Sequence, residues 1–382
     1  KSARADFKPK LSAGGNFNYT GNPLELSIDL PSMSSPLYFQ GKDLKYGATL
    51  SLSQPIYTGG GIRANYQKAR KEKELASNES NRIKSNTLHD ADIYYWNAVA
   101  QHELVFVAQA FRTSIQQLVD VVHHRVEVEY IDRNDLLMAE VKLNDADFQL
   151  LQTRDNAEIA RLALNSFAGV NPSDTLPIDH SVIALKQFIP LSDAIDNEIT
   201  SRPEYRIAQN KIELQESSRK IADARFLPQF HIGVDGSYSS PGYNFKSDLD
   251  PNYAIYAKLS IPLFEWGKRK STRNASSYAI NMAQQNLSKA QDKIRLEIQT
   301  AHYNYKQAID KVKLTESSLS KASESEQMAM ERYKEGNVSI VEVINAQLYH
   351  QQAQVNYIQS KLNAQMAKTD FERAIYYLRE KE

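Results

Sequence analysis

Four stretches of the chain alternate apolar and polar residues with a period of two. The longest alternation begins at Tyr253 and continues to Leu263, and a second runs from Phe230 to Tyr238. Because successive side chains of a strand point to opposite faces of a sheet, this pattern predicts strands with one apolar and one polar face. The predicted strands are residues 10–19, 46–57, 229–238 and 253–263.

Two much longer stretches carry a helical pattern. After the glycines at their starts, neither residues 59–126 nor residues 267–333 contain proline or glycine. Apolar residues recur there every three or four positions, which predicts rods of about 100 Å. The apolar seam is thin and rich in alanine, which suits a wall with water on both sides, although a solid antiparallel bundle also fits. The predicted helices are residues 58–126, 132–168, 203–226, 265–334 and 339–378.

The same pattern occurs twice in the chain. Residues 5–11 resemble residues 224–230 at an offset of 219, and residues 52–57 resemble residues 259–264 at an offset of 207. Such self-similarity predicts a duplicated fold, mainly helical with strands, in which each repeat reads strand, strand, long helix, helix. The repeats are residues 1–170 and 201–382, joined by residues 171–200. Only the second repeat has a helix before its first strand, so we expect an equivalent helix to precede Lys1.

The predicted strands have the features of membrane-spanning strands. They run about nine to eleven residues, the length that a tilted strand needs to cross a bilayer. Aromatic residues such as Tyr19, Tyr238 and Phe264 cluster at their ends, as in interfacial girdles. The residues predicted to face lipid are Leu50, Leu52, Ile232, Val234, Leu259, Ile261 and Leu263.

Four strands cannot close on themselves in hydrocarbon, where open edges are not tolerated. Copies of the chain would therefore have to combine, and three copies would leave room for a pore. A small soluble sandwich with one wet face is the alternative interpretation of the same strands.

Prolines recur at the predicted junctions between strands and helices in both repeats. Proline lacks an amide donor and disfavours helix in the preceding residue, so it suits a change from sheet to helix. These residues are Pro9, Pro55, Pro228 and Pro262.

The two predicted helical hairpins reverse at matched turns. Gly336 fits a left-handed C-terminal cap, and Ser339 with Glu342 forms the pattern of a capping box. In the first repeat Asp132 is predicted to cap the next helix, with Asp135 beside it. A threefold arrangement would also bring these two carboxylates into a ring that favours cations or repels anions.

Composition removes several classes of function. The 46 basic residues balance the 46 acidic ones, so no net charge favours a nucleic-acid partner. No run of 18 or more apolar residues provides a candidate transmembrane helix. The absence of cysteine excludes disulfides, zinc–thiolate sites and cysteine nucleophiles.

Candidate catalytic and metal-binding residues have simpler interpretations. His123 and His124 are adjacent in a helix and point about 100° apart, so they do not converge on a metal. Acid pairs such as Asp90 and Asp92 are typical of solvated helix faces. The sequence has no phosphate loop, nucleotide fingerprint or nucleophile elbow. We therefore predict no enzyme activity, no cofactor and no metal site.

Four sets of residues together carry a family resemblance. They are residues 54–60, 261–269 and 202–205, and the turn residues Arg332, Tyr333, Gly336, Ser339, Ala346 and Gln347. In this order the chain resembles the TolC-like outer membrane efflux proteins over nearly its whole length. Two positions depart from the pattern, because Glu342 stands where the family usually has Asp, and Glu129 stands where the second turn has Gly336.

The resemblance implies a homotrimer with a twelve-stranded barrel in the bacterial outer membrane, in contact with its lipid, and a long helical tunnel in the periplasm. An equatorial region would come from residues 171–199 and the C-terminal end of the chain. The implied partners are a periplasmic adaptor (membrane fusion) protein and an inner-membrane pump, and the tunnel would open at its helical tip. The implied gate and adaptor contacts are Asp132, Asp135, Arg332, Gly336, Asn337 and Ser339.

The function implied by the resemblance is a passive exit duct that carries small molecules such as drugs from the periplasm to the exterior. The same features also fit a duct for type I protein secretion or for metal-ion efflux. A periplasmic coiled-coil scaffold is the alternative from another class, in which charge on the face of Leu259, Ile261 and Leu263 would merely loosen the fold.

Overall fold

The chain forms two compact units. The computed structural model describes residues 1–23, 25–29, 31, 35–188, 190, 195–242 and 248–376. One unit, the sheet unit, comprises residues 1–77 and 207–287, and the other, the helical unit, comprises residues 78–206 and 288–382. The predicted ending of the last helix at residues 377–378 lies outside the described residues.

Six strands and seven helices are assigned within the described ranges. The strands are β1 (Lys10–Tyr19), β2 (Glu25–Ile28), β3 (Leu37–Gln40), β4 (Leu44–Thr58), β5 (Gln229–Ser240) and β6 (Asp250–Ser260). The helices are α1 (Ser2–Ala5), α2 (Gly61–Glu127), α3 (Arg133–Ala168), α4 (Ile195–Ser201), α5 (Pro203–Ala224), α6 (Lys268–Lys334) and α7 (Ile340–Ala374). Every helix in these ranges is too short or too polar to cross a lipid bilayer.

The principal sheet is antiparallel throughout, in the order β1-β4-β5-β6. Leu52 lies opposite Leu11 on one side and Val234 on the other, so these three share one face. Ser51 lies opposite Ser12 and Asp235, which places them on the other face. The sheet therefore has one apolar and one polar face, and β1 and β6 are its edges.

The apolar face is not covered within the chain. Phe17 on β1 is 75% exposed, and Ile255 on β6 is 75% exposed. The central strands follow the same trend, with Leu50 53% and Leu52 42% exposed. A large contiguous apolar surface of this kind normally marks a binding or membrane-facing surface.

The structure moves one predicted strand and adds a hairpin. β6 ends at Ser260, whereas the alternation continues to Leu263, because Pro262 lacks an amide donor and restricts the residue before it. The predicted loop between the first two strands contains β2 and β3, which pair as a short hairpin. Strands of this length are too short to carry a readable period-two signal.

Pro55 differs in position from the other three prolines. Pro9 and Pro228 immediately precede β1 and β5, and Pro262 follows β6. Pro55 instead lies inside β4, where the register with β5 shifts between Pro55 and Tyr57. A bulge is one of the few places in a sheet interior that tolerates the missing amide.

Buried clusters of apolar residues hold the helical unit together. One joins α4, α6 and α7 through Ile199, Ile298, Tyr305 and Phe371, with the rings of Tyr305 and Phe371 stacked. A second packs α2 and α7 against Val182 of the segment between α3 and α4. The part of this segment around Val182 is therefore held against the helices by apolar packing.

Arg202 is a buried cation at the end of α7. Its guanidinium donates to the carbonyl oxygens of Arg373 and Ala374 at 3.1 and 2.7 Å, and to the carboxylates of Glu204 and Glu297 at 2.9 and 3.3 Å. The carbonyls at a helix C-terminus have no partner within the helix, so a cation there is doubly favourable. These contacts give a structural role to Arg202, which lies in one of the segments that carry the family resemblance.

His89 links α2 to α7 through two carboxylates. Its ring nitrogens lie 2.7 Å from Asp370 and 3.1 Å from Asp90. Ionised carboxylates only accept hydrogen bonds, so both nitrogens donate at once only when the ring is protonated. The Asp370 hydrogen bond raises the pKa of His89, with a smaller contribution from Asp90, while burial and the Arg373 charge oppose the rise.

We expect His89→Gln to lower the thermal midpoint of the helical circular-dichroism signal more at about pH 6 than at about pH 9. A raised histidine pKa stabilises the fold fully below the unfolded pKa of about 6.5, and this stabilisation is lost as pH rises through the folded pKa. His124→Gln is the control, because that side chain is 79% exposed. An equal loss at both pH values for His89→Gln would contradict a protonated link.

Candidate functional site

The turns of the two helical hairpins lie side by side in the helical unit. The first turn joins α2 to α3, and the second joins α6 to α7. They share one apolar core, to which both hairpins contribute. Its buried members are Leu118, Val119, Val122, Ala139, Tyr333, Ile340, Val343 and Ile344.

Both turns have the same backbone hydrogen bonds. In the second turn the amides of Gly336 and Asn337 donate to the carbonyls of Tyr333 and Arg332, both at 2.9 Å. In the first turn the amide of Tyr130 donates to Arg125 at 2.9 Å and that of Glu129 to Val126 at 3.0 Å. This pattern is a Schellman motif, which needs a left-handed residue after the helix.

The left-handed position is occupied differently in the two turns. Gly336 has a φ of 81°, which glycine adopts freely, whereas Glu129 has a φ of 57°. A residue with a Cβ adopts that conformation at a cost of about 1–2 kcal/mol. Glu129 therefore keeps the geometry of the second turn and adds strain to the first.

The predicted helix caps are present at both turns. The Asp132 carboxylate accepts from the amide of Asn134 at 2.8 Å, at the start of α3. The Ser339 hydroxyl accepts from the amide of Glu342 at 3.4 Å, at the start of α7. Asp132 and Ser339 are themselves exposed.

Arg125 joins the first turn to the second. Its guanidinium donates to the carbonyl oxygen of Lys334 at 2.8 Å, at the C-terminal end of α6. It also lies over the ring of Tyr333, 4.7 Å from the centroid, and over that of Tyr130, 5.4 Å from the centroid. A cation between two aromatic faces and a helix C-terminus is favourable in all three contacts.

The charge of Asp135 acts on the same pair of side chains. Burial raises the pKa of the Tyr333 phenol above its ordinary value; the nearby Arg125 charge opposes the rise, and the Asp135 carboxylate adds to it. Arg125 and Tyr333, together with the nearby charge of Asp135, are here called the Arg125 cluster. Of the predicted tip residues only Asp135 belongs to it.

Arg332 is exposed near the C-terminal end of α6. It lines a groove of about 460 Å³ between α6 and α7, together with Lys321, Glu324, Glu342 and Tyr349. Asn337 is exposed beside it and donates to the carboxylate of Glu335 at 2.9 Å. These residues are accessible to a partner, in contrast to the Arg125 cluster.

The residues predicted to face lipid lie in the sheet unit. Leu50, Leu52, Ile232, Val234 and Leu259 lie on β4, β5 and β6 and share the apolar face. Ile261 and Leu263 follow the end of β6, and Leu263 is 91% exposed.

The described part of the chain contains no group of three or more acidic or histidine side chains that could hold a metal ion. His123 and His124 both lie near the carboxylate of Glu127, at 3.5 and 3.8 Å. The two histidines thus have a shared acidic partner on their own helix.

The sequence pattern did not single out Arg125 or Tyr130, and Tyr333 entered only as one of the residues that carry the family resemblance. Arg125 and Arg332 occupy equivalent positions at an offset of 207, so the repeat suggests equal roles for them. The structure gives them different roles, because only Arg125 has aromatic side chains on both sides. Sequence periodicity does not reveal which helix face meets the other hairpin.

Comparison with known proteins identifies related sequences and folds. The sequence profile of the family described as Outer membrane efflux protein matches residues 1–170 and 194–375. The search of curated proteins returned no match for this chain.

Several solved structures have a similar fold. The CusC structure, described in terms of transmembrane channel formation, has a TM-score of 0.82 at 15% identity, covering 98% of this chain and 84% of that one. The Campylobacter jejuni CmeC outer membrane channel has a TM-score of 0.78 at 18% identity, covering 98% and 79%. The open state of the Neisseria gonorrhoeae MtrE outer membrane channel has a TM-score of 0.78 at 17% identity, covering 98% and 82%.

We expect Glu129→Gly to stabilise the helical unit and Gly336→Ala to destabilise it. Glu129→Gly relieves the left-handed strain, but it also gives the unfolded chain more conformational freedom. The net gain in the free energy of unfolding is roughly 0.5–1 kcal/mol. Gly336→Ala adds the same strain and places a Cβ 3.1 Å from the Tyr130 hydroxyl. Denaturant unfolding followed by circular dichroism measures both changes. A loss of stability in Glu129→Gly would show that its side chain contributes more than its backbone costs.

Proposed function

Because the chain belongs to the outer membrane efflux protein family, we propose that it is one protomer of a passive exit duct that carries small molecules such as drugs out of the periplasm. Members of this family are channel proteins of the outer membrane that extend into the periplasm, and they are not enzymes. The transport of small molecules, and of drugs in particular, is the part of this function that we propose.

The observation that carries the proposal is the two-faced sheet. Its apolar face is exposed along all four strands, and its polar face carries Ser51, Asp235 and their neighbours. A wall between lipid and a water-filled lumen needs this division of side chains. A scaffold in water would instead leave a large apolar surface exposed to solvent.

We propose that three copies close a twelve-stranded barrel through the edge strands β1 and β6. In lipid, unpaired amides and carbonyls of an edge strand cost several kcal/mol each, so each edge needs a partner strand. The internal repeat supplies a template for that pairing, because β6 is equivalent to β4 and β1 is equivalent to β5. Since β4 pairs with β5 within the chain, β6 of one copy would pair with β1 of the next.

The repeat boundaries are part of the proposal. The first repeat would be residues 1–170, the second residues 201–382, and residues 171–200 an equatorial segment between them. Two register facts support this division. In the first repeat Lys10 pairs with Ser53. Their equivalents in the second repeat, Gln229 at an offset of 219 and Ser260 at an offset of 207, also pair.

We propose the hairpin turns as the periplasmic gate of the helical tunnel. The Arg125 cluster holds the two turns of one protomer together, so weakening it would let one hairpin move away from the other. Asp132, Gly336 and Ser339 shape the turns, while Arg332 and Asn337 beside the groove would contact a periplasmic adaptor. The inner-membrane pump would act through that adaptor.

Single-channel conductance in a planar bilayer tests the duct and its gate together. We expect discrete steps that are small in the native protein and larger in Asp135→Ala, because this change removes the carboxylate from the Arg125 cluster. Asp132→Ala should also enlarge them, by loosening the cap of α3. Asp145→Ala, an exposed carboxylate on the same helix, is the control.

The outcomes separate the duct from its gate. Steps that do not change in either variant would retain the duct and remove the gate assignment. Folded protein that never inserts would contradict the duct and favour the periplasmic scaffold.

Cysteine cross-linking tests the proposed barrel register. In the pairing of β4 with β5, Ser51 lies opposite Asp235. The residue equivalent to Ser51 is Lys258, at an offset of 207, and the residue equivalent to Asp235 is Asn16, at an offset of 219. We expect Asn16→Cys with Lys258→Cys to give covalent oligomers under mild oxidation, since paired strands bring Cα atoms within disulfide reach. The chain has no native cysteine to interfere.

The matched control is Asn18→Cys with Lys258→Cys, which lies two residues out of register on the same face. Equal cross-linking in both pairs would contradict the proposed register. Cross-linking in the control alone would indicate a slipped one.

A further inference from the structure

The segment between β6 and α6 carries an exposed apolar cluster. Leu263 is 91%, Phe264 71% and Trp266 90% exposed. The rings of Phe264 and Trp266 pack edge to face, with centroids 4.9 Å apart. This cluster continues the exposed apolar face of β6, which includes Leu259.

Trp266 adopts a backbone conformation that favours glycine. Its φ is 47°, and Gly267 follows at 77°. The equivalent residues of the first repeat, at an offset of 207, are Gly59 and Gly60, with φ values of 61° and 83°. The same left-handed step thus occurs twice, once with glycine and once with tryptophan. Strain of this kind persists where a side chain is required for another reason.

The corner beyond Trp266 must be open for its ring to fit. At Gly59 a Cβ would lie 2.6 Å from the carbonyl oxygen of Ala224, so no side chain fits there. The residue equivalent to Ala224 in the first repeat is Ala5. If Ala5 of a neighbouring copy packed against Trp266 in the same way, the indole could not be accommodated. In the proposed barrel the neighbouring Ala5 must therefore lie further from residue 266 than Ala224 lies from Gly59, which leaves the exposed indole free to contact lipid.

Three consecutive cations follow the aromatic pair. Lys268, Arg269 and Lys270 are all exposed, and among the described residues the structure records no ion pair for any of them. The next cation, Arg273, is paired with Asp223 at 3.7 Å. The first repeat has Gly61, Ile62 and Arg63 at the three equivalent positions, so the basic run occurs in one repeat only.

We propose that residues 263–270 bind the anionic phospholipid headgroups of the periplasm-facing leaflet. This inference rests on the proposed function, which places the junction of β6 and α6 at that surface. Tryptophan and phenylalanine rings suit the boundary between acyl chains and headgroups, and lysine and arginine side chains bind the phosphates. A leaflet rich in anionic lipid strengthens the attraction to the three unpaired cations.

Tryptophan fluorescence tests the depth of the cluster. The chain has two tryptophans, so Trp96→Phe leaves Trp266 as the only tryptophan, which is excited selectively over the tyrosines. The full chain is reconstituted into vesicles of phosphatidylcholine with and without phosphatidylglycerol. We expect lipids brominated near the headgroup to quench Trp266 more strongly than lipids brominated near the chain ends.

Headgroup selectivity is tested by placing the bromine on one lipid class at a time. At equal mole fractions, brominated phosphatidylglycerol should quench about twofold more than brominated phosphatidylcholine, and the difference should shrink in high salt. Lys268→Gln, Arg269→Gln and Lys270→Gln combined should remove the preference. Arg63→Gln, at the position equivalent to Lys270, is the matched control and should retain it.

Two results would overturn the inference while channel conductance persists. Trp266 that no brominated lipid quenches would be covered by protein, such as a second copy of the chain. Equal quenching by the two lipid classes would remove the anionic selectivity. Protein that neither conducts nor inserts would overturn the proposed duct as well, so the two failures are distinguishable.

Discussion

The hydrogen-bonding groups on β1 and β6 are the constraint on which the rest of the molecule depends. A four-stranded sheet with one apolar face can neither remain open in lipid nor remain exposed in water. In the proposed barrel, pairing edge to edge between copies would satisfy the backbone and leave the apolar face toward lipid. The polar face would then enclose a water-filled space. The exit duct that we propose follows from this one requirement of the strand edges.

The two halves of the chain share several local backbone conformations that carry different side chains. The hydrogen bonds of both hairpin turns coincide, yet glycine relieves one turn and Glu129 strains the other. After β4 and β6 the reverse holds, because glycine occupies the left-handed position in the first repeat and Trp266 occupies it in the second. Comparing such paired positions separates what the backbone requires from what a particular side chain contributes.

The sequence predicts local features of this fold better than contacts between distant elements. Period-two alternation begins where β1 and β5 begin, and the absence of proline and glycine marks the extents of α2 and α6. The helix caps Asp132 and Ser339 follow from residue type and spacing. The short hairpin of β2 and β3 is too brief to give a periodic signal, and Pro262 ends β6 before the alternation ends.

The contacts around Arg125 were not predictable in this way. They depend on which faces of α2 and α6 meet, and the helical seam is too rich in alanine to specify that orientation. Arg202 is similar, because its partners at the end of α7 lie far away in sequence. Of the predicted tip residues, Gly336 lies beside the Tyr130 hydroxyl of the other hairpin, and the charge of Asp135 acts on Tyr333.

The pairing of β4 with β5 has a consequence for how the chain reaches its native state. Leu52 and Val234, which lie opposite each other, are about 180 residues apart, so their meeting closes a very large loop. The hairpins β1–β4 and β5–β6 have much nearer ends and can form earlier, each as a separate ribbon with an apolar side. Until the two ribbons join, the chain has twice as many free strand edges, and this is the stage at which it is most prone to aggregate. We expect folding factors that shield these ribbons before they join to determine how much of the protein reaches its native state.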